Sequence, residues 1–168
     1  MTDNTRMLGW YRRIYSSKRV KNLITLLDYI SVAIVVLVFA ACVALSFVDS
    51  VIEGATLVLS AAIPFVLVSI ARRYINGKRP YEVYDFLEFT DKKPGRKGGE
   101  SFPSRHVFSA FLIAGLALPI HVALCVFAAV AGVVLAFCRV SLGIHFIKDA
   151  FFGAVIGIIS AAIGLLIL

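Results

Sequence analysis

Long apolar runs alternate with short polar segments along this chain. Four runs contain no Lys, Arg, Asp or Glu: Tyr29–Val48, Gly54–Ala71, Val107–Cys138 and Ala150–Leu168. About 20 helical residues cross the ~30 Å hydrocarbon core of a bilayer, so the first, second and last runs each predict one membrane-spanning helix. The third run is too long for one span. Pro119, which lacks a backbone donor, divides it into predicted spans near 104–119 and 121–138.

The apolar pattern therefore predicts an all-α fold, a polytopic membrane helical bundle of about five transmembrane helices. The segment before the first run has a different character. Residues 6–26 mix cations with Trp10, Tyr11 and Tyr15, which is typical of an amphipathic helix lying on anionic headgroups. We accordingly divide the chain into an N-terminal interfacial segment, 1–26, and a membrane domain, 27–168.

Composition agrees with a bilayer environment. Hydrophobic residues make up 60% of the 168 positions, more than a soluble domain of this size can place in its interior. The three cysteines are odd in number and lie within apolar runs. They indicate neither a disulfide framework nor a cysteine-based metal site.

Basic charge is confined to three parts of the chain. Of the 17 Lys and Arg residues, all lie before residue 22, within Arg72–Arg105, or at Arg139 and Lys148. Five spans place these segments on one side, and short basic loops mark the cytoplasmic face. We expect a multi-pass plasma-membrane protein whose N-terminus and polar loops face the cytoplasm. Nucleic acid is disfavoured as a partner, because the cations adjoin spans and no nucleic-acid motif is present.

Three polar clusters border the predicted spans on this shared side. They read "RRYINGKRP" from Arg72, "PSRH" from Pro103 and "CRVSLGIHFIKD" from Cys138. Arg72, Arg79 and Arg139 are cations with forked donors, which suit a tetrahedral oxyanion. Ser104 opens a predicted helix, whose first N–H groups lack internal partners and favour an anion.

The histidines of these clusters complete a possible reaction centre. His145 and Asp149 are four residues apart, so they share a face if the turn is helical, and the carboxylate would then orient the imidazole. His106 is a second imidazole, available to protonate a leaving group. Such a set would move a phosphoryl group through a phosphohistidine. The His–Asp pair alone also fits a structural hydrogen bond, or a zinc pair with His106; the cationic shell favours phosphate over a metal ion.

The three clusters resemble the signatures of the type 2 phosphatidic acid phosphatases, membrane lipid-phosphate phosphatases related to the vanadium haloperoxidases. That family reads K-x6-R-P, P-S-G-H and S-R-x5-H-x3-D, and residues 72–149 keep every spacing. Three positions differ from the family pattern: Arg72 replaces lysine, Arg105 replaces glycine and Cys138 replaces serine.

The resemblance implies a metal-independent lipid phosphatase without a cofactor. By motif position, His145 would be the nucleophile, Asp149 its partner and His106 the general acid. The phosphate-binding set would be Arg72, Arg79, Ser104, Arg105 and Arg139. The expected partners are membrane lipids and a lipid phosphate substrate, such as phosphatidylglycerophosphate, phosphatidic acid or a polyprenyl phosphate.

Alternative functions, and alternative roles for one loop, remain open at this point. The protein could recycle undecaprenyl diphosphate, hold vanadate as a haloperoxidase, or bind a lipid phosphate without catalysis. Residues 81–100 fit either a short interfacial helix followed by a lid or a plain connector. His121 falls in the turn on the opposite side and is interpreted as interfacial, without a catalytic role.

Overall fold

The computed structural model describes residues 3–84 and 98–166, and the regular elements in those residues are helices. In chain order they are α1 (Asp3–Ser16), α2 (Lys18–Asp49), α3 (Val51–Ile75), α4 (Pro80–Val83), α5 (Arg105–Ala117), α6 (Val122–Ser141) and α7 (Ile147–Leu165). Most of the loop 81–100, for which a lid or a connector is expected, lies outside the described residues.

Four of these helices, α2, α3, α6 and α7, are long and apolar enough to cross a membrane. The fifth apolar helix, α5, has 13 residues and is therefore only about 20 Å long. It is surrounded by the other helices and packs chiefly against α7 and α6. Seven of its residues, from Val107 to Ala117, are buried, so protein rather than lipid covers much of the helix and a short helix is tolerated there. The all-α membrane bundle predicted from the sequence is confirmed.

Two serine residues mark where the long helices α2 and α3 begin, and an asparagine marks where α3 ends. Ser17 accepts a hydrogen bond from the N–H of Val20 at 3.4 Å and begins α2. Ser50 caps α3 in the same way. The left-handed conformation of Asn76, with φ of 44°, ends α3. The break between helices α1 and α2 thus lies at Ser17. The interfacial role of residues 1–26 stays a prediction.

Helix α1 packs onto the bundle at the end that carries the three polar clusters. Its side chains Tyr11 and Ile14 are buried. The hydroxyl of Tyr15 donates to the carbonyl of Leu142, in the α6–α7 loop, at 3.1 Å. Trp10 on the same helix contacts the ring of Phe137 edge-on. The helix therefore covers the cluster-bearing end of α6.

The opposite end of the bundle shows how the chain reverses. Asp49 and Glu53 from the α2–α3 turn line a cavity together with Pro119 and Ile120 from the α5–α6 turn and Leu165 from the end of α7. The chain therefore turns back at Pro119, as the sequence predicts. The end of α3 and the starts of α5 and α7 consequently meet at the other end of the bundle.

Two glycines allow α7 to approach α5 closely. A Cβ atom at Gly157 would stand 2.5 Å from the carbonyl oxygen of Phe108, and one at Gly153 would stand 2.7 Å from that of Ser104. Neither distance is possible for a real side chain without movement of the backbone. Small residues at such a crossing let two membrane helices pack backbone to backbone.

We expect the substitution Gly157→Ala to lower the free energy of unfolding by about 1–3 kcal/mol, because the added methyl group forces α5 and α7 apart. Thermal denaturation in detergent would measure the loss. The matched control is Gly9→Ala on α1, where a Cβ meets nothing within 4 Å. Both variants gain the same helix propensity, so equal stability of the two would contradict the close packing.

Candidate active site

The first polar cluster is tied to the segment that precedes α5. Arg72 lies in the last turn of α3 and is 2% exposed. Its guanidinium donates to the backbone carbonyls of Glu100 and Pro103. Its Nε atom has no hydrogen-bond partner among the described residues. Neutral carbonyls therefore position the side chain, while its charge and one donor stay available.

Arg79 is held at the other end of the same cluster. Its Nε–H donates to the carbonyl of Gly99 at 3.0 Å, and its guanidinium lies 6.0 Å from the centre of the Tyr81 ring. The carboxylate of Glu82 accepts the N–H of Arg79 at 2.7 Å and that of Gly99 at 3.0 Å. Glu82 thus joins residues 79 and 99 and orients the arginine.

The second cluster begins α5. Ser104 is the N-cap residue and is fully buried, yet its hydroxyl has no hydrogen-bond partner among the described residues. A buried hydroxyl without a partner costs about 1–3 kcal/mol. The backbone N–H of Ser104 donates to the carbonyl of Asp149 at 2.9 Å. The free hydroxyl and the helix start are together suited to an anion.

His106 is the second residue of α5 and is exposed. It lines a cavity of about 320 Å³ whose other walls are mostly apolar residues of α2, α3, α5 and α6. Arg139, His145, Arg105 and Arg72 are all close enough to act on it electrostatically. The structure therefore brings His106 together with residues from the other two clusters.

The third cluster contributes an arginine with an ionic partner. The Nε atom of Arg139, in the last turn of α6, is 2.8 Å from the Oδ1 atom of Asp28 on α2. Asp28 is buried. Motif spacing does not identify Asp28; the available signal is that it is an acid directly before an apolar run. The pair fixes the position of the arginine between two helices.

The relation between His145 and Asp149 differs from the expected helical pair. His145 precedes α7, while Asp149 lies in its first turn and accepts the N–H of Phe146 at 3.0 Å. The Nδ1 atom of His145 is 3.8 Å from the Oδ2 atom of Asp149, beyond hydrogen-bond distance. The two side chains are neighbours, but they do not share one helical face.

Ser101 occupies the gap between these two side chains. Its hydroxyl donates to the Oδ2 atom of Asp149 at 2.5 Å and lies 3.3 Å from the Nδ1 atom of His145. All three side chains are buried. The backbone N–H of Ser101 donates to the carbonyl of Gly77 at 2.8 Å. Sequence reasoning missed this residue, because nothing in its spacing links it to Asp149, 48 positions later.

The environment favours the neutral form of His145. Burial lowers its pKa below the ordinary value of 6.5, the carboxylate of Asp149 opposes that shift, and the charges of Arg79 and Arg72 reinforce it. A neutral imidazole whose Nδ1–H faces Ser101 keeps the lone pair of Nε2 free. Such a nitrogen is a nucleophile.

The eight residues singled out by sequence all lie at this end of the bundle. They are Arg72, Arg79, Ser104, Arg105, His106, Arg139, His145 and Asp149. Arg105 lines the cavity beside His106. Within residues 3–84 and 98–166, no group of three His, Cys, Asp or Glu side chains is placed to hold a metal ion. The zinc alternative thus gains no support from the described part of the chain.

A model of the PAP2 superfamily matches residues 53–168 of the chain. Among solved structures, the chain is similar to LpxE of Aquifex aeolicus, with a TM-score of 0.69 and 25% identity over 94% of this chain and 93% of that one. It is also similar to the first transmembrane PAP2 type phosphatidylglycerolphosphate phosphatase from Bacillus subtilis, with a TM-score of 0.60 and 17% identity over 98% and 95%. The second likeness concerns the fold alone. A search of the curated proteins found no match.

We expect His145 to titrate below pH 6.5, because protonation would place a charge in a buried site beside two arginines. Ring resonances of labelled histidine, followed by NMR against pH in detergent, would measure this. The chain has three histidines, so single His→Gln variants assign each signal. A midpoint at or above pH 6.5 for His145 would contradict the description of its surroundings.

Proposed function

Because the chain belongs to the PAP2 superfamily, we propose that it is an integral membrane lipid phosphatase acting through a phosphohistidine on His145. It hydrolyses a phosphomonoester or a diphosphate of a lipid. The observation that carries the proposal is the buried imidazole of His145, which is set against Ser101 and Asp149 and faces the charges of Arg79 and Arg72. This arrangement combines a neutral nucleophile with an anion-binding shell.

The transferred phosphate is held by groups from all three clusters. Arg72, Arg79 and Arg139 neutralise its charge, and the hydroxyl of Ser104 donates to one oxygen. The partners of two of these arginines support this role. Arg72 and Arg79 are bound by carbonyls, which leave their positive charge uncompensated. The arginines supply the charge stabilisation that a metal ion provides elsewhere, so the proposed route needs no metal.

The reaction proceeds in two steps. The lone pair on Nε2 of His145 forms a bond to phosphorus, and the bond from phosphorus to the leaving oxygen breaks. His106, which carries a proton when the anionic phosphate is bound beside it, gives that proton to the leaving oxygen. Water then attacks phosphorus, His106 takes a proton from it, and the N–P bond breaks. The products are inorganic phosphate, the dephosphorylated lipid and the original forms of both histidines.

Ser101 and Asp149 act on His145 from the side away from phosphorus. The Nδ1–H of the imidazole donates to the hydroxyl of Ser101, which in turn donates to the carboxylate of Asp149. This chain fixes the tautomer and stabilises the positive charge that develops on the ring during attack. Ser101 is therefore a positioning residue rather than a catalytic one.

The cavity beside His106 supports a lipid substrate. A second apolar cavity of about 310 Å³ shares Phe65, Ser109 and Ile113 with the first, so the apolar space continues from His106 toward the membrane interior. A hydrocarbon tail fits this space while the phosphate stays among the arginines. With the site on the cytoplasmic side, as the basic segments favour, phosphatidylglycerophosphate, phosphatidic acid and polyprenyl phosphates are the candidate substrates.

The substitution His145→Ala tests the proposal. We expect phosphate release from detergent-solubilised phosphatidic acid and phosphatidylglycerophosphate to fall by about 1,000-fold or more, because the nucleophile is removed. Release of inorganic phosphate measures it. The matched control is His121→Ala, in the turn at the opposite end, which should keep wild-type activity. Turnover retained by the His145 variant would refute the assignment.

The substitution Ser101→Ala should lower kcat by about 10- to 100-fold with little change in KM, because the hydroxyl orients His145 without touching phosphate. Ser101→Thr keeps the hydroxyl and should recover most of the loss. Initial rates of phosphate release across substrate concentration would measure both.

The matched control for Ser101 is Ser69→Ala, since the hydroxyl of Ser69 bonds to the carbonyl of Phe65 within its own helix at 2.7 Å. An unchanged kcat in Ser101→Ala, or a loss that Ser101→Thr does not recover at all, would contradict the bridging role.

A further inference from the structure

Arg105 is the one arginine of the site that lines the cavity of about 320 Å³ containing His106. Its side chain is partly exposed. The facing walls are apolar and include Val32 and Val35 of α2 and Phe65 of α3. A guanidinium thus stands where a largely apolar space begins, beside the proposed general acid.

The other arginines of the site are held by protein groups. Arg139 pairs with the carboxylate of Asp28, Arg72 donates to two carbonyls and Arg79 donates to Gly99. In contrast, Arg105 has neither an ion pair nor a hydrogen bond from its side chain to the described residues. It also lies close enough to Arg72 for the two charges to repel each other. An anion bound at Arg105 would relieve this repulsion.

The position of Arg105 assigns it to one side of the reaction. Arg79 and Arg72 are the arginines that act most strongly on His145, whereas Arg139, Arg105 and Arg72 act on His106. His106 protonates the leaving oxygen in the proposed mechanism. Arg105, next to it in sequence and in the same cavity, therefore lies toward the leaving group and the tail.

We propose that Arg105 binds a second anionic group of the substrate, located between the transferred phosphate and the hydrocarbon tail. This inference rests on the proposed phosphatase function and specifies its substrate class. The preferred lipids carry two phosphorus groups, either as a diphosphate or as a phosphomonoester joined through a short polyol to a phosphodiester. In both cases the second phosphate stays with the leaving group, where a forked guanidinium can bind two of its oxygens.

Selectivity between lipids with one and two phosphorus groups would test the inference. One pair is farnesyl diphosphate and farnesyl monophosphate; the other is phosphatidylglycerophosphate and phosphatidic acid with the same acyl chains. Initial rates of phosphate release yield kcat/KM for each lipid. The selectivity ratio is the kcat/KM for the two-phosphorus lipid divided by the kcat/KM for the one-phosphorus lipid. We expect Arg105→Gly to lower this ratio by about 10- to 100-fold in at least one pair. Arg105→Lys should keep the ratio within about five-fold of wild type.

The ratio does not depend on how much of a preparation is folded, since both lipids of a pair are assayed on the same sample. The matched control is Arg79→Lys, which weakens the clamp on the transferred phosphate and should lower both rates in parallel. A lower ratio for the farnesyl pair would indicate a substrate in which the two phosphorus groups are joined as a diphosphate. A lower ratio for phosphatidylglycerophosphate over phosphatidic acid would indicate two phosphorus groups joined through a short polyol.

An unchanged ratio in Arg105→Gly overturns the inference, because Arg105 would then bind the transferred phosphate itself or no part of the substrate. If wild-type protein releases phosphate from none of the four lipids, the proposed function fails and this inference fails with it. Wild-type turnover with an unchanged ratio overturns the inference alone.

Discussion

The close approach of α5 and α7 is the contact on which the site depends. At Gly153 and Gly157 no side chain separates the two helices, and the carbonyl oxygens of Ser104 and Phe108 lie 2.7 and 2.5 Å from where the Cβ atoms would stand. This contact allows the N–H of Ser104 to reach the carbonyl of Asp149. The start of α5 is thereby set beside the start of α7. The start of α5 carries His106, the proposed acid, and the start of α7 directly follows His145, the proposed nucleophile. Any increase in the helix separation would move the two imidazoles apart.

The arginines show how positive charge is kept at a membrane site. An unpaired guanidinium in apolar surroundings is costly, and a full ion pair would cancel the charge that an anionic substrate needs. Arg72 and Arg79 are held by neutral carbonyls, which supply hydrogen bonds without compensating charge. Only Arg139 among the arginines discussed has a carboxylate partner, Asp28. The site thus stays electropositive, while Arg72, Arg79 and Arg139 are each held in place by a protein group.

Motif spacing predicted which residues would touch phosphate, but it did not point to the residues that position them. Arg72, His106 and His145 are far apart in sequence, and the count of spans was sufficient to predict that they share one side of the membrane. A shared helical face for His145 and Asp149 was expected only if the turn between them is helical, and that condition is not met, because α7 begins at Ile147, after His145. Ser101 and Asp28 were missed. Each contacts its partner across an interface between separate parts of the chain, and such a contact leaves no periodic pattern.

The sequence by itself determined the apolar helices, the turn at Pro119 and the meeting of the three polar clusters at one end of the bundle. These features follow from the order of apolar and polar residues and from the thickness of the hydrocarbon core, both independent of how helices pack. Only the tertiary structure decided that Ser101 stands between His145 and Asp149, that Asp28 holds Arg139 and that Arg105 lines the cavity. Those contacts depend on differences of about an ångström in the distance between helices, because a hydrogen bond forms only near 3 Å.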